Sequence, residues 1–317
     1  MLLGEHAVLH GKHAIVAAVD QRLHVYLTPR KDAVISIESA LGHYESLLDQ
    51  LTVEAPFTFV LSVIHRFAQG QMKGFDLRID SEFSSTIGLG SSAAVLVATA
   101  AAVMRYWKVE GDLFETCYRS LIEVQGRGSG ADLAAAIQGG IVLFKGANPL
   151  RLPLVRGRGP TIESIREPPS LTGEGWGGFA LRLVYSGYKT PTAEVIAIVD
   201  AARQKDPETF AHLFDQIDKA VLAGAEALRT QNWAGFAAAM DRNQVLMEKL
   251  GVCDETLSRM IADLKKEPHV LSAKISGSGL GDCVYGLLQP GSCSLLRDHR
   301  MTGGIVMLSN DGVLFHD

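Results

Sequence analysis

A loop rich in glycine and serine, which joins a strand pattern to an alanine-rich helix pattern, most constrains the fold of this chain. Phe75, Leu77 and Ile79 alternate with polar residues, which predicts a strand. Residues 93–104 are apolar and rich in alanine, which predicts a buried helix that starts near Ser91. The sequence GLGSSAA, residues 88–94, connects the two. The chain must therefore place a glycine-rich backbone at the start of a helix.

This loop has the chemistry of an anion-binding site. Glycines let the backbone approach an oligophosphate closely, and the first N–H groups of a helix carry partial positive charge. Ser91 and Ser92 add hydroxyl groups, one of which is suited to a Mg²⁺ ion. A glycine-rich turn with serine N-caps is the alternative interpretation.

Two better-known phosphate loops fit this segment less well. The Walker A loop requires GxxxxGK[ST], and no lysine follows the glycines here. The dinucleotide-binding pattern GxGxxG/A is matched by Gly88, Gly90 and Ala93. That pattern also expects an acidic residue about 20 positions on, after a second strand. Glu110 lies at that distance but follows a helix pattern, so a dinucleotide site is disfavoured.

The order of strand and helix patterns predicts the fold class. Strand and helix patterns are mixed in the first half without a strict βαβ rhythm, and successive helix patterns fill residues 192–265. This order predicts an α+β protein with two layers in each half. Residues 151–176 are rich in proline, glycine and arginine and show little periodicity. We therefore expect two domains, residues 1–170 and 171–317.

Composition excludes several classes of function. The formal net charge of −5 leaves no basic excess for binding nucleic acid. The 4 cysteines are far apart and form no CxxC pair, which argues against a zinc knuckle and suits a reducing compartment. The N-terminus lacks the basic start and apolar run of a signal peptide, and no apolar run is long enough to span a membrane. We expect a cytoplasmic protein with no nucleic-acid or membrane partner, either a monomer or a homodimer.

Three segments resemble the motifs of the GHMP kinases, the family of galactokinase, homoserine kinase, mevalonate kinase and phosphomevalonate kinase. The first is GLGSSAA, the central motif of that family. Residues 3–12, LGEHAVLHGK, are similar to the segment LxGEHAVVxGxxA of mevalonate kinases. Residues 274–283, KISGSGLGDC, are similar to the family's third motif, KxTGAGGGGC. The three occur in the family's order, so the resemblance spans nearly the whole chain.

The resemblance implies a fold, a reaction and a set of ligands. The fold is the two-domain α+β GHMP kinase fold, with an N-terminal ribosomal S5 domain 2-like α/β domain and a C-terminal ferredoxin-like domain. The reaction is transfer of the γ-phosphoryl group of ATP to a small-molecule hydroxyl, with Mg²⁺ as cofactor. The implied ATP-binding residues are Gly88, Leu89, Gly90, Ser91, Ser92, Ala93, Gly277, Ser278 and Gly279.

A further segment supplies the implied catalytic base. Residues 123–132, EVQGRGSGAD, are similar to the family's HGNPSGVDN stretch, in which the aspartate is the proposed base. The match assigns that role to Asp132. We expect Asp132 at a helix N-terminus, which lowers the pKa of a carboxyl group, and a plain N-cap is the alternative. The family's Mg²⁺ ligands are implied to be Ser92 and Glu123.

The acceptor site is implied by two short segments. Glu5 and His6 match the GEH segment, where mevalonate kinases place groups that contact the substrate. Thr190 and Thr192 open the first helix pattern of the second half, with Thr190 as the expected N-cap. The expected acceptor is the primary hydroxyl of mevalonate, in isoprenoid precursor synthesis. The alternatives are phosphomevalonate, a sugar, or a non-catalytic relative that binds a nucleotide or metabolite.

The sequence departs from the family pattern at two places. An APxK element precedes the first motif in the family, and its lysine bridges ATP phosphates and acceptor. Here only Met1 and Leu2 precede that motif. Three explanations are open: the given sequence starts at an internal methionine, part of the first strand was lost, or another cation substitutes, with Arg127 as a candidate. Asp282 stands in the third motif, where an acidic side chain repels phosphate unless it points away or binds Mg²⁺. Lys189 is a candidate contact for a carboxylate or phosphate group.

Overall fold

The computed structural model describes residues 1–83, 90–146, 160–165, 180–292, 304–309 and 311–316. Two of the predicted ATP-binding residues, Gly88 and Leu89, lie outside these ranges. Backbone contacts divide the chain into two compact units. The first unit joins Met1–Asp20 to Gln138–Gly312, and the second joins Gln21–Ile137 to Val313–Asp317. The predicted boundary near residue 170 lies outside the described ranges, so the division into 1–170 and 171–317 stays a prediction.

Strands and helices are mixed along the described chain, as the sequence patterns predict. The strands are β1 (His13–Ala17), β2 (Leu23–Pro29), β3 (Val34–Ser39), β4 (Gly42–Leu47), β5 (Phe75–Ser81), β6 (Ile141–Lys145), β7 (Thr161–Ile165), β8 (Ala180–Lys189), β9 (Val270–Ile275), β10 (Gly281–Leu288) and β11 (Gly304–Met307). The helices are α1 (Thr58–Ala68), α2 (Ser91–Tyr106), α3 (Leu113–Gln125), α4 (Ala131–Gln138), α5 (Thr192–Lys205), α6 (Pro207–Arg229), α7 (Trp233–Lys249) and α8 (Glu255–Leu264). None of the described helices is both long and apolar enough to cross a membrane.

The described part of the first unit contains two antiparallel sheets and the helices α5 to α8. One sheet has the strand order β1-β6-β7, and the other has the order β11-β8-β10-β9. Helices α6 and α7 pack against each other, and α7 also packs on β9. Their apolar faces share one core with Leu3 and Ile15 of the N-terminal segment; Phe236 of α7 and Tyr285 of β10 belong to the same core. The N-terminal motif is therefore held inside the same core as the third motif.

The second unit is one mixed sheet covered by helices. Its strand order is β2-β5-β3-β4, with β3 parallel to β5 and the other pairs antiparallel. Helix α2 packs on β2 and also contacts α1 and α3. Helix α3 starts at a cap visible in the sequence, because the Asp112 side chain accepts a hydrogen bond from the Glu115 N–H at 2.7 Å. The α+β class and the two-domain kinase fold predicted from the sequence are confirmed.

One predicted connecting segment contains regular structure. Residues 151–176 were expected to form a domain junction because they show little periodicity. Within the described part of this segment, β7 pairs antiparallel with β6, and Ile165 lies opposite Ile141. A five-residue edge strand carries too short a pattern to be recognised from one sequence.

Candidate active site

The start of α2 follows a glycine, as suits an anion-binding helix N-terminus. Gly90 precedes the helix with a left-handed φ of 81°, and none of the described side chains caps the first turn. A Cβ atom added at Gly90 would meet nothing within 4 Å. Ser91 and Ser92 are the first two residues of the helix and are partly exposed, whereas Ala93 is buried. The described part of the loop thus has two partly exposed serines at the positive end of a 16-residue helix.

Asp132 lies inside α4 rather than ahead of it. The helix starts at Ala131, and the Ala134 N–H donates to the Gly130 carbonyl at 3.1 Å. The Leu133 N–H donates to Asp132 Oδ1 at 3.0 Å. The prediction of a helix N-terminus is therefore confirmed, and the alternative of a plain N-cap is wrong.

The expected direction of the Asp132 pKa is also wrong. Desolvation by the surrounding protein raises the pKa of the Asp132 carboxyl above 3.8, and the backbone N–H of Leu133 opposes that change. Solvent nevertheless reaches the side chain, which is classed as exposed. The helix N-terminus alone therefore does not set this pKa. A raised value brings a general base closer to the pH at which it works.

Helix α3 supports the loop that leads to Asp132. A Cβ atom at Gly130 would lie 2.8 Å from a ring carbon of Tyr118, and one at Gly128 would lie 2.9 Å from a methyl carbon of Leu121. The Tyr118 hydroxyl also donates to the Gly128 carbonyl at 3.4 Å. The loop between α3 and α4 therefore lies directly against α3, which fixes where α4 begins.

Glu123 projects from the same helix into an open pocket. Its carboxylate accepts a hydrogen bond from Arg66 Nη2 at 2.5 Å. Glu123 lines a pocket of about 320 Å³ together with Thr58, Ser62 and His65. Among the residues that the structure describes, no group of three His, Cys, Asp or Glu side chains could hold a metal ion. The roles of Ser92 and Glu123 as Mg²⁺ ligands stay predictions.

Glu5 lies at the centre of a buried polar network in the first unit. Its side chain is 1% exposed and accepts hydrogen bonds at both oxygens. Lys274 Nζ donates to Oε1 at 2.5 Å, and Asn243 Nδ2 donates to Oε2 at 3.0 Å. Burial lowers the pKa of Lys274, and the negative charge of Glu5 opposes that change. The network joins the first motif to the third motif and to α7.

His6 follows Glu5 in a strained backbone conformation. Its φ is 60° and its ψ is −50°, a region that residues other than glycine rarely occupy. The Nε2 atom lies 2.8 Å from the Ser278 carbonyl oxygen, so Nε2 carries the hydrogen and donates it. Burial lowers the pKa of His6 below 6.5, which favours the neutral imidazole. The neutral ring then keeps a lone pair at Nδ1 and can accept one hydrogen bond there.

The third motif forms the tight loop of the β9–β10 hairpin. The Ser276 N–H donates to the Cys283 carbonyl at 2.8 Å and closes the loop. Gly279 has a φ of 85°, and a Cβ atom there would lie 2.2 Å from the Val252 carbonyl oxygen. Packing alone therefore requires glycine at position 279, and ATP binding by Gly277, Ser278 and Gly279 stays a prediction.

Thr190 does not cap a helix as the sequence predicted. Helix α5 begins at Thr192 after Pro191, with no side-chain cap. The Thr190 hydroxyl instead donates to the Leu280 carbonyl at 2.6 Å, because β8 runs alongside β10 and ends beside the third motif. Thr192 is exposed at the start of α5. Pro191 allowed the helix start to be predicted from the sequence, but the predicted N-cap, Thr190, lies one residue before the observed N-cap position.

The acidic side chain of the third motif is paired with a cation. Lys189 Nζ lies 3.3 Å from Asp282 Oδ2, at the end of β8. The expected repulsion between Asp282 and phosphate is therefore reduced by a neighbouring positive charge. Arg127, the candidate substitute for the family's lysine, is exposed in the loop after α3.

Sequence reasoning missed Asn243 and the role of Lys274. Lys274 was visible only as the first letter of the third motif, and its partner Glu5 lies 269 residues away. Asn243 carried no signal, because it stands among apolar and charged residues of a long helix pattern. Only the packing of α7 on β9 brings both side chains to Glu5.

Comparison with known proteins agrees with the motifs. Residues 58–140 match the family model for the GHMP kinases N terminal domain, and residues 225–292 match the model for GHMP kinases C terminal. A mevalonate kinase of Archaeoglobus fulgidus is 32% identical over 293 residues, which cover 91% of this chain and 89% of that protein.

Solved structures share the fold at lower identity. The Methanococcus jannaschii mevalonate kinase has a TM-score of 0.74 at 24% identity, covering 97% of this chain and 95% of its own. A Lactococcus lactis galactokinase, solved with galactose, has a TM-score of 0.74 at 16% identity, covering 98% and 91%. Because both fit equally well, the fold does not distinguish the acceptor. The motifs, the family models and the similarity to the Archaeoglobus protein along nearly all of its length show that this chain belongs to the GHMP kinases.

Proposed function

We propose that this chain is a mevalonate kinase, which transfers the γ-phosphoryl group of ATP to the primary hydroxyl of mevalonate. The observation that carries the proposal is the 32% identity to a mevalonate kinase over 91% of the chain. The placement of Asp132 supports it, since an exposed carboxylate in the first turn of α4 suits a general base.

ATP binds in this proposal at the start of α2. The N–H groups of the first turn and the positive end of the helix attract phosphate oxygens, and the space that the described residues leave at Gly90 lets them approach the backbone. Gly88, Leu89, Gly277, Ser278 and Gly279 complete the nucleotide site by resemblance to the family.

The hydroxyl of Ser92 and the carboxylate of Glu123 fit Mg²⁺, which binds oxygen ligands and keeps phosphates and waters in its shell. Mg²⁺ neutralises phosphate charge when it is bound. Arg66 shares the Glu123 carboxylate and keeps its charge balanced. Mg²⁺ is usually held by one or two protein ligands together with substrate phosphates and waters, so Ser92 and Glu123 would be enough in this proposal.

Asp132 acts as the base in the transfer step. Its carboxylate accepts the proton of the mevalonate hydroxyl while the hydroxyl oxygen forms a bond to the γ-phosphorus. The bond between that phosphorus and the bridging oxygen to the β-phosphate breaks, and ADP leaves with the electron pair. His6, Thr190 and Thr192 hold the acceptor in this proposal. The neutral His6 ring supplies a hydrogen-bond acceptor at Nδ1, which suits a hydroxyl group.

The cysteines support a cytoplasmic location, which we include in the proposal. Among the described residues, Cys117, Cys253 and Cys283 are free thiols, as a reducing compartment favours. A monomer and a homodimer both remain compatible with this reaction.

A coupled assay of ADP release tests the proposal. The chain is incubated with ATP and Mg²⁺ and, separately, with mevalonate, phosphomevalonate, homoserine, galactose and no acceptor. We expect ADP release with mevalonate at a kcat/KM at least about tenfold above that with any other acceptor. A preference for phosphomevalonate or a sugar would assign another acceptor within the family. No acceptor-dependent release would contradict a catalytic role.

A further inference from the structure

The first motif contains a buried glutamate whose carboxylate is bonded to other protein groups. Both oxygens of Glu5 accept hydrogen bonds from protein donors, and 1% of its side chain is exposed. Because the side chain is 1% exposed, the lone pairs that these two bonds leave unused are not accessible to an acceptor hydroxyl. The side chain that follows it, His6, points instead to the Ser278 carbonyl in the third motif.

The turn that carries these residues is held by three hydrogen bonds, which come from two side chains on two elements. Lys274 on β9 binds Oε1 of Glu5, and Asn243 on α7 binds Oε2. The same Asn243 accepts a hydrogen bond from the Gly4 N–H through Oδ1 at 3.4 Å. Asn243 is 0% exposed, so no water competes for these bonds. One amide side chain thus fixes both the backbone before Glu5 and the carboxylate of Glu5.

The backbone at His6 needs such support. A residue with a side chain is strained in a sparsely populated backbone region and persists there only when its surroundings impose it. The φ of 60° at His6 places it in such a region. The hydrogen bonds of Asn243 and Lys274 to Glu5 hold the residue before His6, and the hydrogen bond to the Ser278 carbonyl holds the His6 ring.

We propose that Glu5, Lys274 and Asn243 are positioning residues, which hold the turn so that His6 presents its ring to the acceptor alcohol. Glu5 then contributes to acceptor binding through His6 and does not contact the acceptor itself. Asn243 lies outside all three motifs, and its effect on the acceptor site passes through Gly4 and Glu5. The proposal rests on the proposed kinase function, because acceptor binding is its readout.

Asn243→Ala is the direct test. It removes the bonds to Glu5 and to Gly4 but leaves the pair of Glu5 and Lys274 in place. We expect the KM for mevalonate to rise at least about fivefold, with the KM for ATP changed by less than about twofold. A merely structural role would lower the amount of folded enzyme and would move neither constant.

Asp241→Ala is the matched control on the same helix. Asp241 accepts hydrogen bonds from Ser272 on β9 at 2.8 Å and from Lys265 at 2.6 Å, so its loss also weakens the attachment of α7. Neither of these two hydrogen bonds involves the turn that carries Glu5 and His6. We expect a lower thermal midpoint but a mevalonate KM within about twofold of the wild-type value.

The outcomes separate this proposal from the kinase assignment. If the wild-type chain fails to phosphorylate mevalonate, the assigned function is wrong. If the wild type is active and folded Asn243→Ala keeps both KM values, the positioning role is overturned. Asn243→Ser, which keeps a hydroxyl donor, serves if the alanine variant does not fold, and we expect an intermediate rise in the mevalonate KM. Unfolding of both variants at the assay temperature would also overturn the proposal, since the network would then serve folding alone.

Discussion

Replacing Lys274 by methionine should strongly destabilise the protein, because it leaves the buried carboxylate of Glu5 without its positive partner. Lys274 and Glu5 are 0% and 1% exposed, and their charged atoms are 2.5 Å apart. Removing one member of a buried pair typically costs about 3–5 kcal/mol, since the other charge keeps its desolvation penalty. At about 2–4 °C per kcal/mol, this corresponds to a fall of roughly 6–20 °C in the melting temperature.

The double variant tests the physical reason. Glu5→Gln combined with Lys274→Met leaves no unpaired charge, and methionine fills much of the space of the lysine stem. We expect the double variant to be more stable than Lys274→Met alone, because a buried pair is often replaceable by neutral groups of similar volume. Equilibrium urea unfolding and thermal melts measure both.

An exposed pair of the same length provides the control. Lys12 Nζ and Asp215 Oδ1 are also 2.5 Å apart, but their side chains are 31% and 55% exposed. Lys12→Met should leave the unfolding midpoint near the wild-type value, since solvent screens an exposed pair. Equal effects of Lys12→Met and Lys274→Met would refute the argument from burial, as would a double variant no more stable than Lys274→Met.

Three further changes test the other parts of the site. Asp132→Asn should lower kcat by about 10²- to 10⁴-fold with little change in ATP affinity. In the wild type, kcat should fall at acid pH with an apparent pKa above 3.8, and the variant should lack this fall. A loss of kcat below about tenfold would contradict the base role. Gly90→Val should abolish ATP binding measured by calorimetry. Gly70→Val is the control, because Gly70 has a φ of 80° and equally open surroundings, so the same backbone strain should leave ATP binding intact. Equal loss of binding in both variants would refute the loop assignment. Because burial lowers the pKa of His6, the folded state binds fewer protons there than the unfolded state. The stability due to a neutral His6 is therefore full above about pH 6.5 and is lost as pH falls toward the lowered value. The fall in urea midpoint between pH 7.5 and 5.5 should shrink in His6→Gln, and an unchanged fall would contradict a buried neutral imidazole.

The parts of the fold that could be predicted depend on local patterns. The alternation at Phe75, Leu77 and Ile79 and the alanine-rich run after Ser91 gave β5 and α2 their correct places. The cap at Asp112 is equally local, since the side chain bonds a backbone group three residues on. The position of Asp132 in a helix start also followed from neighbours in the sequence.

The parts that could not be predicted depend on distant contacts. The pKa of Asp132 is raised because surrounding protein desolvates the carboxyl, and no residue near it in the sequence reveals that effect. Thr190 bonds Leu280, which lies 90 residues away, so its hydroxyl does not cap α5. The environment of Glu5 arises from residues more than 230 positions along the chain. The local sequence around Glu5 is equally compatible with a solvated turn and with a buried, hydrogen-bonded turn.

The central claim is that this chain transfers a phosphoryl group from ATP to the primary hydroxyl of mevalonate. The most direct measurement is ³¹P and ¹³C NMR of mevalonate incubated with ATP, Mg²⁺ and the chain, with Asp132→Asn in a parallel sample. We predict a new phosphomonoester signal coupled to the carbon of the primary alcohol, together with equimolar ADP, and a far slower reaction in the variant. ADP without a phosphorylated carbon, or a phosphate on another hydroxyl of mevalonate, would contradict the account.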